Sequence, residues 1–255
     1  MPYEEKEDSR IREILKQLET VSEGRSARGP EGWFGRASAS GNVSSATPTS
    51  SPLAGDSGNA RTAGTEFPSL AKSSSRLFSW RTERQVQDAI AKVAVYLESQ
   101  RNLYYPDAEP LDDHWKEAFR GCYSASLLNR VRVSELKDRR VENPSFFETA
   151  KADGITNLPN MAHRAVVTFL DVIVFNEKIT GRHLFHGLVH AAQVKLLGRE
   201  RYAELFVTGF LKARSYFLVP LKAHAFALDT RYAEDPEACF SVEEEVLRWA
   251  TEDRY

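Results

Sequence analysis

The 255-residue chain has two cysteines. Cys122 and Cys239 stand far apart, with no C-x-x-C pair and no disulfide framework. That scarcity points to a reducing, intracellular setting in which both thiols act as small buried hydrophobes. No apolar run approaches the ~20 residues that a membrane span requires. The first residues are acidic and polar, which excludes a secretory signal and places the chain in the cytoplasm as a soluble protein. Formal net charge is only -2, so no global basic field argues for nucleic acid. Dinucleotide, kinase and zinc-finger signatures are all missing. No G-x-S-x-G elbow supports a hydrolytic triad built from Ser124, Ser126, Asp171 and a histidine.

What is present falls into three parts. Residues 1–22 contain a short amphipathic segment with Ile11, Ile14, Leu15, Leu18 and Val21 at helical spacing. Such a helix docks on the body or frays; the sharper alternative is a protein partner recognised through residues 4–21. Residues 23–76 are dominated by Ser, Gly, Ala, Thr and Pro. They cannot bury enough apolar surface to offset their ordering entropy, and so read as a disordered linker. Residues 77–255 carry the folded part.

Within that part, Thr82 to Leu103 predicts a helix with Val86, Ile90, Val93 and Leu97 on one stripe. A second helix is expected from Asp112, with Trp115, Phe119, Cys122 and Tyr123 inward. Leu127 to Leu136 turns to alternation: "RVRVSEL" puts Val131 and Val133 on one face and Arg130 and Arg132 on a solvated one, as in a half-buried strand. "AVVTFLDVIVFNE" is β-branched and aromatic, giving one strand or two short ones around Asp171. Helices follow to Gly198, over Arg199 to Ala213, over Leu221 to Tyr232 behind Pro220, and after the capping box Ser241-Val-Glu-Glu244. The fold class is α+β: several helices on a small sheet.

The chemistry centres on "RHLFHGLVHAAQVKLLG". His186 and His190 are four apart, so both imidazoles leave one face of a helix. Two such rings can grip one metal ion. Glycine suits the helix stop at Gly198, where it can take the left-handed capping geometry. Gln193 lies on the His190 face and can orient that ring. His183 lies near the same face but seven residues from His190. His114 belongs to a solvated turn and His163 to a loop.

The stretch from Val166 to Tyr232 resembles the zincin-like metallopeptidases of the gluzincin type, in particular small domains whose active helix reads H-E-L-V-H-x-x-Q. The resemblance rests on "TFLDVIVFNEKITGRHLFHGLVHAAQVKLLG" and on "GFLKARSYFLVPLKAHAFALDTRY". It implies His186 and His190 as zinc ligands, a general base at Gly187 and a third ligand at Lys222, where the family form is P-L-E-x-x-A. Glycine has no group to take a proton from water. An ammonium has no lone pair for a metal. His224 lies two residues on, turned to the far side of its helix. Asp229 shares the Lys222 face but sits ~10 Å along the axis. The resemblance therefore implies an inactive domain, a binding or structural module without a cofactor, in which Lys222 fills the vacated cation position and donates to a neutral His186 or His190. The alternative is a metal-dependent hydrolase that holds zinc through those two histidines. A third possibility is a helical protein without metal ancestry.

Overall fold

The computed structural model describes residues 82–255 except Cys239. The expected N-terminal helix, the linker and residues 77–81 lie outside the described residues. Helix α1 (Glu83–Tyr104) opens on a full capping box. The Thr82 hydroxyl accepts from the Gln85 N–H, and the Gln85 side chain accepts from the Thr82 N–H. A 3-10 turn (Tyr105–Asp107) leads to the two-residue strand β1 (Glu109–Pro110). Helices α2 (Asp113–Ala118) and α3 (Ala125–Arg130) follow, each capped by a side chain, Asp112 and Ser124. Strand β2 (Arg132–Glu135), helix α4 (Phe146–Ala152), and strands β3 (Val166–Phe169) and β4 (Val172–Phe175) come next. Four helices complete the domain: α5 (Gly181–Leu197), α6 (Arg199–Ala213), α7 (Pro220–Glu234) and α8 (Val242–Thr251). The class is α+β. No helix among the described residues is long and apolar enough to cross a membrane.

The sheet order is β1-β2-β4-β3. β2 runs parallel to β4, and the two outer pairs are antiparallel. The β-branched run thus forms two strands joined through Leu170 and Asp171. Leu170 takes φ 57°, the positive value that a two-residue hairpin connection demands. Asp171 is held by the Arg101 guanidinium at 2.8 and 3.2 Å, which ties α1 to the turn. Alternation along β4 then serves two cores. Ile173 and Phe175 face a cluster with Leu184, Phe185 and Leu188 of α5. Val172 and Val174 face a second cluster with Leu97 of α1 and Tyr202, Leu205 and Phe210 of α6.

Three expectations need correction. The arginine face of "RVRVSEL" is solvated only at Arg130, which ends the preceding helix exposed. β2 is an interior strand, Ser134 is buried, and Arg132 donates to the Ala108 carbonyl at 3.0 Å while its guanidinium lies over the Tyr105 ring. The chain from Tyr105 to Pro110 covers that face, which no local pattern announces. The segment before β2 is helical (α3), because Ser124 caps it and Leu127 and Leu128 turn inward. Gly198 does take positive φ, at 81°, but its ψ of 157° lies outside the left-handed helical region. It closes α5 and is at once the residue before α6, so two helices meet without a loop.

Candidate functional site

Helix α5 starts where the Thr180 hydroxyl accepts from the His183 N–H at 3.3 Å. Ten consecutive residues, Leu184 to Gln193, are buried. A helix covered on all sides must satisfy its polar side chains internally. That requirement explains the network around the two histidines.

His190 is 2% exposed. Its Nδ1 lies 2.7 Å from Gln193 Oε1, and Gln193 Nε2 donates to the Leu221 carbonyl at 3.0 Å. Because the amide nitrogen is engaged by a carbonyl, the amide oxygen faces the ring and accepts the Nδ1 proton. The lone pair is therefore on Nε2, and Lys222 Nζ lies 2.9 Å from it. Burial, and then the Lys222 charge, hold this imidazole well below the ordinary histidine range, so it is neutral and accepts from the ammonium. The Tyr202 hydroxyl stands 3.4 Å from Nδ1. Burial keeps its proton in place by pushing the phenol well above its ordinary value.

His186 sits one turn earlier, its ring 4.9 Å from that of His190 and edge-on to it. Its Nδ1 lies 2.6 Å from Asp229 Oδ2. The other carboxylate oxygen accepts from Arg182 Nε and Nη2, both at 3.3 Å. Burial lowers this histidine too. Asp229 pulls the other way, and Lys222 and His183 add to the lowering.

Gly187 lies between the two rings in sequence, on the side of α5 that meets the sheet. Its carbonyl accepts from the Thr168 hydroxyl at 3.0 Å. A Cβ there would stand 2.7 Å from Ile173 Cγ2. The helix approaches β3 and β4 so closely that no side chain fits without a shift.

The sequence-derived candidates His190, Lys222 and Gln193 therefore meet directly, with His186 one turn away. His224 is apart from them, stacked on Trp249 with centroids 3.9 Å apart and bonded to the Tyr255 hydroxyl at 2.8 Å. The serines of the discarded triad are apart as well. Ser124 and Ser126 bond Lys195, and Ser124 bonds Glu243, at the surface, while Asp171 pairs with Arg101. Asp229 is the residue that sequence reasoning places outside the site. Its axial distance from Lys222 is sound, but α5 and α7 pack with opposite direction. The residue one turn before His190 therefore meets a residue farther along α7. Arg182 escapes notice for the same reason.

In chemical terms the centre offers two imidazole lone pairs and one ammonium. A catalytic zinc needs three protein donors and an open position, and an ammonium supplies none. Among the described residues no group of three His, Cys, Asp or Glu side chains is placed to hold a metal. Asp229 is turned to the Nδ1 edge of His186. Comparison with family models, with curated proteins and with solved structures finds no match for this chain.

Proposed function

We propose that this is a zincin-like domain without hydrolytic chemistry, a binding or structural module whose histidine pair is closed by the protein's own cation. One observation carries the reading: Lys222 Nζ is 2.9 Å from His190 Nε2. His190 adopts the tautomer of a metal-ligating imidazole, with Nδ1–H fixed by a neighbouring acceptor. His186 shares that arrangement, with a carboxylate on Nδ1. The Nε2 lone pair that such a ring would offer to a metal instead accepts from Lys222. Gly187 supports the same conclusion from a different element. The place where hydrolysis needs a proton acceptor has neither a carboxylate nor space for one.

Calorimetric titration with zinc tests the proposal. The parent chain takes up no zinc at micromolar protein, and Lys222→Glu, which exchanges the ammonium for a donor, gains one site. A Glu variant that folds and still ignores zinc refutes the inferred geometry. Stoichiometric zinc in the parent refutes the proposed closure by Lys222.

A further inference from the structure

Lys222 is also the inner wall of a cavity. A space of about 200 Å³ opens between α1, α4, α6 and the sheet, bounded by Val93, Phe147, Phe169, Phe206, Tyr216 and Lys222. Other charged residues that touch it, Asp88, Lys92 and Asp153, are exposed. Lys222 is 8% exposed. A small apolar space with a single buried charge at its inner wall has the character of a ligand site.

The charge itself has no anionic partner among the described residues. Asp229, the carboxylate in this network, is engaged by His186 and Arg182. The partners of Lys222 among the described residues are His190 Nε2 and the face of the Tyr216 ring at 5.0 Å, and neither carries a negative charge. Its place on α7 adds to the cost. Lys222 is the third residue of the helix, at the positive end of the helix dipole, and no side chain caps that end. A buried ammonium is costly unless an anion compensates it.

We propose that the cavity binds a small apolar monocarboxylate, its carboxylate on the Lys222 ammonium and its hydrocarbon body between α1, α4 and α6. An apolar cavity of about 150 Å³ takes up benzene. On that scale this space suits about eight non-hydrogen atoms, and its open outer end admits a slightly longer chain. The ligand class is thus a medium-chain or aryl-substituted carboxylate. The proposal does not rest on the peptidase likeness. Zinc titration reads the Nε2 face of the histidines, and carboxylate titration reads the cavity, so the two can fail separately.

The test is calorimetry on the full chain with octanoate, 1-octanol and octylammonium. One octanoate binds per chain, at least about tenfold more tightly than octanol, the difference expected when a charge-assisted hydrogen bond is gained, and octylammonium does not bind. Lys222→Met brings octanoate down to the level of octanol and leaves octanol unchanged. Ala89→Trp, which fills the cavity from α1 and keeps Lys222, abolishes both. Three results overturn the proposal: no octanoate binding, equal binding of octanoate and octanol, or an undiminished preference in Lys222→Met. Should Lys222→Met fail to fold, the Ala89→Trp chain decides, because octanoate binding that survives the blockade also overturns it.

Discussion

Alanine at position 187 should weaken the domain even though alanine is the better helix former. In a helix interior, alanine is favoured over glycine by about 1 kcal/mol. Against this, the new methyl would stand 2.7 Å from Ile173 Cγ2 and 3.2 Å from Ile173 Cδ1. Ile173 is fully buried and paired on both sides, with Val133 and with Thr168. A β-branched side chain there has little rotamer freedom with which to yield. Forcing one extra carbon into a packed core costs about 1–3 kcal/mol. The net expectation for Gly187→Ala is a loss of roughly 0–2 kcal/mol after the propensity gain is subtracted. Ile173→Ala removes both offending methyls. In that background the same Gly187→Ala change should stabilise by about 1 kcal/mol, the bare propensity term. The coupling between the two positions is then about 1–3 kcal/mol. Urea unfolding of the four proteins, followed by circular dichroism at constant m-value, measures it. An equal effect of Gly187→Ala in both backgrounds would show that the helix does not press on Ile173, and the account of why position 187 is empty would fail.

Acid should destabilise the fold before the carboxylates titrate. His186 and His190 are held below the ordinary range, and His224 is lowered to about 3 by burial, with Arg254 and Arg248 adding to it. The unfolded chain takes up these protons near pH 6.5, so stability is flat above that value and falls as pH drops below it, by up to about 1.4 kcal/mol per pH unit for each histidine. Urea midpoints between pH 8 and pH 5 give the slope, and a midpoint that rises on acidification contradicts it. His224→Phe, which keeps the stack on Trp249, should remove about one histidine's share of that slope whatever its effect at pH 8; an unchanged slope means His224 is already charged in the fold. Asp229→Ala strands the His186 Nδ1 proton and takes one carboxylate from Arg182, a loss of about 2–3 kcal/mol for hydrogen bonds with a charged partner. A cost below about 1 kcal/mol in thermal unfolding, less than one such bond, would show that the carboxylate is dispensable.

The sequence discloses helices well because their signals are local. Thr82 with Gln85, Pro220 and Ser241 each mark an end through a bond or a missing N–H within one turn. The partnership of His190 with Gln193 is also legible, since three residues on one helix share a face. The Lys222 contact is foreseeable only through the resemblance, as spacing alone says nothing of two separate helices. Asp229 and the buried face of β2 are not foreseeable. Each depends on a long-range arrangement: the crossing of α5 over α7 in one case, the return of the chain at Tyr105 to Pro110 in the other. The cavity is equally invisible. The expected stripe on α1 is buried at Leu97, but Val86, Ile90 and Val93 are half-buried, and Val86 and Val93 line the open space. Periodicity identifies the inward face of a helix, and whether that face meets protein or a void is decided by its neighbours.

Gly187 and Lys222 bear on one question from two separate elements. The first concerns how deeply α5 sinks onto the sheet. The Thr168 hydroxyl bonds the Gly187 carbonyl, and Ile173 occupies the volume a side chain would need. The second concerns what α7 presents to the histidines. Exchanging Lys222 for a glutamate alters only the second. It can supply a donor for a metal, but the helix would still lie against Ile173, and a carboxylate at 187 would have to displace it. On the proposed reading, zinc affinity is expected from that one substitution, whereas a carboxylate at 187 would need α5 to lift from β3 and β4. Lifting would expose the cluster around Ile173, Leu184 and Leu188 that holds the helix down. A Lys222→Glu chain that binds zinc and leaves peptide substrates intact is the outcome this separation predicts. Peptidase activity in that single variant would show that a proton acceptor other than residue 187 lies within reach of the metal.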